Sequence, residues 1–168
     1  MQWKGFLGGV LVTLVGLGVG AYGAASLGWI PANADERPGT LERKFAHTAL
    51  DAWMEKNSPH QENPVALNDA NLLAGLKLYR NNCAGCHGDK DVVADFGRAF
   101  YPPAPQFSTQ RTPGDPDAVL FTFAKRGVRL TGMPAFGGML KDEEIWTTVL
   151  FIKHLRELPP GVAKEWKN

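Results

Sequence analysis

The sequence predicts an all-α protein in which one apolar N-terminal helix precedes a small helical domain. Three observations predict this class: an uncharged run from Gly5 to Ile30, apolar residues at spacings of three and four in the later segments, and the absence of an alternating run of strand length. The boundaries that follow are 1–30 for a transmembrane anchor, 31–66 for a linker with a helix at about 40–57, 67–158 for the domain, and 159–168 for a C-terminal tail.

The uncharged N-terminal run is long enough to cross a membrane. Its 26 residues would form a helix of about 39 Å, against about 30 Å of hydrocarbon. The alternative is a cleaved signal peptide, but the small-residue site at 32–34 lies far beyond an apolar region of ordinary length. We therefore expect a retained, single-pass anchor. Small residues at spacing four also favour a face that packs against another helix: Gly16, Gly20, Ala24 and Gly28.

The linker contains one amphipathic helix between two polar, proline-containing breaks. Thr40 is the expected N-cap, and Leu41, Phe45 and Ala49 recur at spacing four before the pattern ends at Asn57. This helix could lie on the membrane surface, contact a partner subunit, or pack on the domain. Packing on the domain is the interpretation we favour.

The domain is predicted to consist of helices joined by loops. Leu72, Leu76 and Tyr79 form an apolar stripe on its first helix, and a last helix is expected from about 142 to 157. Five prolines between residues 102 and 116 prevent long regular elements there, although residues 117–126 can form a short helix. The last helix should stop at the Pro-Pro-Gly sequence 159–161.

The strongest chemical signal is a pair of cysteines followed at once by a histidine. Cys83 and Cys86 are separated by two residues, and His87 comes next, which is the attachment signature of c-type haem. At a helix end the two thiols lie about one turn apart and can reach the two vinyl groups of one porphyrin, while the imidazole serves as the proximal iron ligand. A zinc half-site and a thioredoxin-like redox pair are the alternatives. Because the chain has no other cysteine, one covalent haem explains the motif best.

The second iron ligand is predicted to be Met133. Gly132 permits a close backbone approach before it, and Pro134 stiffens the loop that presents the thioether. Met139 is interpreted as an apolar contact ahead of the last helix. An open coordination site is one alternative. The other is ligation by one of the histidines outside the motif, namely His47, His60 or His154.

These motifs together resemble those of a class I monohaem cytochrome c. The similarity covers roughly residues 67–158 and rests on the cysteine motif, on residues 132–136 around Met133, and on the aromatic last helix. The resemblance implies a helical domain around one haem c, in which the first and last helices cross near a glycine and aromatics. Three residues stand where these would be expected: Gly75, Tyr79 and Trp146. Two positions depart from the family pattern, namely Phe151, where tyrosine is usual, and Lys141, where a Ser or Thr cap is usual.

The resemblance also implies residues that support the haem. In the family a proline carbonyl accepts the second ring N–H of the proximal histidine, and Pro102 or Pro103 is expected to supply it here. Arg126 and Arg129 are candidates for contacts with the haem propionates, with a solvated surface position as the alternative.

The expected function is electron transfer rather than catalysis. Lys and Arg number 18 and Asp and Glu 17, so the basic excess of a nucleic-acid-binding protein is missing, and no small-molecule substrate is expected. A haem domain on an inner-membrane anchor should face the periplasm, as a tethered carrier or as a respiratory-complex subunit docked through the glycine-rich helix to donor and acceptor proteins. The alternative is a haem enzyme or gas sensor with a labile Met133.

Overall fold

The structure is a computed structural model that describes residues 2–33, 35–36, 38–107 and 114–167. It divides into two compact units, residues 1–37 and 38–168. Throughout the described ranges the regular structure is helical, with one isolated bridge between Asp89 and Val92. The α-helices are α1 Gln2–Ser26, α2 Thr40–Asn57, α3 Asp69–Asn82, α4 Ala84–His87, α5 Asp95–Arg98, α6 Asp117–Arg126, α7 Asp142–His154 and α8 Pro160–Lys167, and a 3-10 helix spans Phe136–Gly138.

The first unit is built around α1, which is long and apolar enough over Trp3–Ser26 to cross a membrane. Its large apolar side chains are exposed, as expected for a helix whose surroundings are lipid rather than protein. The small-residue row predicted as a packing face has open space around each of its three glycines.

The core of the second unit is the crossing of α3 and α7. At that crossing Gly75 lies against the backbone of Thr147 and the Cβ of Phe151, at distances that leave no room for a side chain. Tyr79, one turn further along α3, contacts the ring of Phe151 at 5.6 Å between centroids. Trp146 does not join this crossing. It stacks instead on Phe121 of α6, 4.1 Å away, in a second cluster.

Helix ends follow ordinary capping chemistry in most places. The Asn68 side chain accepts the Asn71 N–H at 2.8 Å at the start of α3. At the start of α7 the Glu144 carboxylate accepts the Lys141 N–H at 2.8 Å, which satisfies the cap position without a Ser or Thr. Gly39, and not the expected Thr40, is the cap residue of α2.

The C-terminal segment differs from its predicted role. The last large helix, α7, ends at His154 rather than near 157, and the predicted tail of residues 159–168 contains α8. Val162 and Trp166 of α8 are buried, and Trp166 contacts Tyr79 and Phe151. The prediction of a tail is therefore wrong, because two large apolar side chains one turn apart return this helix to the core.

Candidate haem-binding site

The cysteine motif forms a single helical turn directly after α3. Cys83 closes α3 through its N–H to the Tyr79 carbonyl at 2.7 Å, and its own carbonyl accepts from both Cys86 and His87. Both cysteines are free and half-buried. Gly88 then ends the turn at φ 83°, a conformation that glycine adopts without strain. The thiols thus lie about one turn apart, as the spacing predicts.

Burial suppresses thiol reactivity at this turn. It is the main reason that the pKa of Cys83 is raised to about 12, and the charge of Cys86 adds to the shift. A thiol-redox enzyme needs a lowered thiol pKa, because the thiolate is the nucleophile. The structure therefore argues against the thioredoxin-like interpretation. In the described part of the chain no three His, Cys, Asp or Glu side chains cluster as a zinc site would require.

His87 is held by a hydrogen bond on one ring nitrogen and by a stacked aromatic ring. Its Nδ1 lies 2.8 Å from the carbonyl oxygen of Pro105, and the ring of Phe107 stacks on it at 4.6 Å between centroids with the planes 6° apart. Burial lowers the pKa of His87, against the opposing effect of the Pro105 carbonyl. The imidazole is therefore neutral near pH 7, with Nδ1–H donated to Pro105 and Nε2 left as the basic nitrogen. A metal-ligating histidine is neutral and almost always donates its other ring N–H to an acceptor in this way.

The orienting carbonyl belongs to Pro105, so the prediction of Pro102 or Pro103 is wrong. All three prolines are exposed, so burial does not distinguish them. The register is set by two backbone bonds, from Ala104 N–H to the Gly97 carbonyl at 2.9 Å and from Phe107 N–H to the His87 carbonyl at 3.0 Å. These bonds bring residue 105 opposite the ring.

Gln106 is a supporting residue that the sequence analysis missed. It is only 2 % exposed, and its side-chain amide donates to the carbonyls of Cys86 at 2.8 Å and Ala104 at 2.9 Å. Its side-chain oxygen accepts the Ala94 N–H at 2.8 Å. One buried amide therefore ties three backbone segments behind the motif. A polar residue among prolines gives no local signal of such a role.

A close contact between α4 and α5 shapes the other side of the motif. A Cβ at Gly97 would lie 1.9 Å from the Cys86 carbonyl oxygen, so only glycine fits there. The Phe100 ring beyond it lies against Gly132, where an added Cβ would be 2.5 Å from a ring carbon. Phe100 thus connects the segment beside the motif to the residue that precedes Met133.

Met133 lies in a loop that is closed by its own hydrogen bonds. Val128 N–H donates to the Met133 carbonyl at 3.1 Å, and Met133 N–H donates to the Thr131 hydroxyl at 3.1 Å. Gly127, at φ 66°, has no side chain, so the backbone of residues 133–135 can pass within contact distance of it. Met133 is half-buried, whereas Met139 is 63 % exposed. The loop therefore holds the backbone at Met133, from which the thioether extends.

The other predicted candidates lie at the surface or bond elsewhere. Arg126 and Arg129 are exposed, and within the described residues neither has a protein partner. His47 and His60 are exposed as well. The Nδ1 of His154 lies 2.8 Å from the Leu150 carbonyl on its own helix.

The residues at this site fit a covalently attached haem. Two thiols one turn apart, a neutral imidazole with its Nε2 uncommitted among the described residues, and a thioether on a rigid loop form the donor set of such a group. When bound, haem iron supplies a one-electron couple. Residues 70–152 match the family model described as cytochrome C oxidase, cbb3-type, subunit III. No curated protein and no solved structure matches the chain.

Proposed function

This chain is a c-type cytochrome with one covalently attached haem c, and we propose that it transfers single electrons on the periplasmic face of the inner membrane. The apolar helix Trp3–Ser26 supports a single-pass anchor. The haem domain follows this helix, and c-type haem is attached outside the cytoplasm. The haem domain would therefore lie on the periplasmic side.

The observation that carries this proposal is the fixed orientation of His87. Its Nδ1–H is donated to Pro105 at 2.8 Å and its face is stacked on Phe107. A ring held on two sides has little freedom to move when the iron changes charge. Small structural change on reduction favours electron transfer over chemistry at the iron.

Met133 is the proposed second axial ligand. Its loop is closed on itself by hydrogen bonds, and Gly132 is packed against Phe100. Pairing imidazole with a thioether raises the reduction potential above that of a bis-histidine haem. The result would be a six-coordinate haem suited to one-electron transfer.

Replacement of the proposed ligand tests this assignment. Met133→Ala should open the iron to carbon monoxide and lower the midpoint potential, within the range of about 0.8 V that axial ligation spans. Met139→Ala removes the same side chain from an exposed position and should leave both properties unchanged. The measurements are carbon monoxide binding to the reduced protein and a spectroscopic redox titration.

The same experiment distinguishes a carrier from a haem enzyme or gas sensor. Rapid carbon monoxide binding by the unmodified protein would mean that Met133 is absent from the iron or labile. That outcome would replace the electron-transfer proposal with the enzyme or sensor alternative. For a carrier, the unmodified protein should bind carbon monoxide slowly or not at all. Rapid binding should appear only in Met133→Ala.

The proposed setting is a membrane redox complex, as a bound subunit or as a tethered donor. The family match to a terminal-oxidase subunit over residues 70–152 supports this setting. A tether also raises the effective concentration of the domain near its membrane partners. Native electrophoresis of mildly solubilised membranes, stained for haem, tests the choice. Migration in a large assembly indicates a subunit, while migration as the single chain with detergent indicates a tethered carrier.

A further inference from the structure

Helix α2, outside the segment that matches the family model, has two apolar faces. Met54 is buried at 2 % exposure and Leu50 is half-buried, and this side of the helix packs on the haem domain next to α6. Leu41, Phe45 and Ala49 recur at spacing four on the opposite side, roughly half a turn of the helix away. One face is thus already used for packing within the chain.

Among the described residues of the haem-domain unit, none covers the second face. Leu41 is 82 % exposed and Phe45 is 75 % exposed, while Trp53 at the other end of the helix is 46 % exposed. From Thr40 to Ala49 every residue is exposed, so the first half of α2 stands clear of the domain. Large apolar side chains concentrated on one face of an otherwise bare helix mark a binding surface.

We propose that this outer face of α2 lies in the headgroup region of the membrane that holds the anchor. The inference rests on the proposed anchoring of α1. Only 13 residues, 27–39, connect the end of α1 to the start of α2, so even a fully extended linker reaches about 45 Å. The start of α2 can therefore be no further than this from the end of the anchor, which makes the bilayer the surface that this face meets most often.

The side chains of this face suit lipid better than they suit a charge-steered protein partner. Leu, Phe and Trp on one face are typical of helices that lie in a membrane interface. The charged residues of α2 balance at three basic and three acidic, so no rim of a single sign is present to select a complementary protein. Lys44 flanks the apolar face, while Glu42 and Lys56 fall on it near its two ends, where their long side chains can extend their charges towards the headgroups. Binding is then driven by apolar burial and should persist in zwitterionic lipid and at high salt.

The consequence for the haem domain is a fixed orientation. Because Met54 holds the other face of α2 against the domain, the helix would lie between the domain and the bilayer. A linker alone would not fix the orientation of the domain. A docked α2 instead presents one side of the domain to partners in the same membrane.

Hydrogen–deuterium exchange of the full-length holoprotein in phosphatidylcholine nanodiscs tests the proposal. Every residue from 40 to 49 is exposed, so without a further cover their amides should exchange rapidly. With the face docked, exchange in residues 40–49 should be at least about tenfold slower and unchanged at high salt. Phe45→Asp should abolish this protection. His47→Asp adds the same charge at an exposed position on the opposite side of the helix from Phe45 and should retain the protection.

Each outcome has one meaning. Protection lost only in Phe45→Asp supports docking on lipid. Rapid exchange of residues 40–49 in protein that has entered nanodiscs overturns the docking and leaves the anchor intact. Two other results are protection that requires a second copy in the nanodisc and protection that occurs only in native membranes with other subunits. Either result assigns the face to a protein partner and overturns docking on lipid. Failure to enter nanodiscs overturns the anchor, and the docking with it.

Discussion

Replacing Gly75 with alanine tests the helix crossing at the centre of the haem domain. A Cβ built on Gly75 would lie 2.5 Å from the Thr147 carbonyl oxygen and 2.7 Å from the Cβ of Phe151. Neither atom is the end of a flexible side chain, so neither can swing away. Ordinary contact would require α3 and α7 to separate by nearly 1 Å, and a gap of that size forfeits a quarter to a half of the dispersion energy across the interface.

Two opposing effects set the magnitude for Gly75→Ala. Alanine is the better helix former by about 1 kcal/mol. Overpacking against rigid neighbours costs about 3 kcal/mol or slightly more. The net loss in the free energy of unfolding should therefore be about 2 kcal/mol, which lowers the guanidinium midpoint by about 0.5 M for a domain of this size.

The assay is guanidinium unfolding of the holoprotein in mild detergent, followed by haem absorbance and by far-UV circular dichroism. Gly138→Ala is the matched control, because nothing lies within 4 Å of its added Cβ. That variant should stay within about 0.5 kcal/mol of the parent. If Gly75→Ala unfolds at the same or a higher guanidinium concentration than the parent, the reasoning about this crossing is refuted.

Two further substitutions test the haem motif and the C-terminal helix. Gly97→Ala would place a Cβ 1.9 Å from the Cys86 carbonyl oxygen, so it should displace α5 from the motif. The yield of covalently bound haem, measured as haem per polypeptide, should fall. An unchanged yield would contradict this contact. Trp166→Ala removes a ring that is 3 % exposed and lies 4.6 Å from that of Phe151, so it should cost about 3–5 kcal/mol in guanidinium unfolding, whereas a residue in a free tail would cost almost nothing.

Elements with local signals could be predicted from the sequence. The amphipathic helix at 40–57 and the short helix at 117–126 have their predicted bounds, because apolar spacing and flanking prolines or glycines act within a few residues. The motif at Cys83, Cys86 and His87 is equally local. The close approach of α3 to α7 at Gly75 came from the resemblance to a known family, and the structure places that glycine at the crossing.

Features that depend on contacts between distant segments could not be predicted in this way. Pro105 rather than Pro102 faces His87 because backbone bonds from Ala104 and Phe107 set the register of that segment. Gln106 supports the same arrangement through bonds to Cys86 and Ala94, which are distant from it in the sequence. The α8 error has a different cause, since Pro160 is compatible with both a helix stop and a helix start.

Two adjacent residues of α3 explain why the C-terminal helix matters for the haem motif. Tyr79 donates its hydroxyl to the Gly88 carbonyl at 2.7 Å, and its ring lies 5.6 Å from that of Trp166. Arg80 pairs with Asp89 at 3.0 Å and donates to the Trp166 carbonyl at 2.6 Å. The chain is thus fixed immediately before and immediately after the cysteine motif, and α8 is bonded to the same two residues. These contacts link the residues that flank the cysteine motif to α8, so loss of α8 should loosen the chain on both sides of the motif.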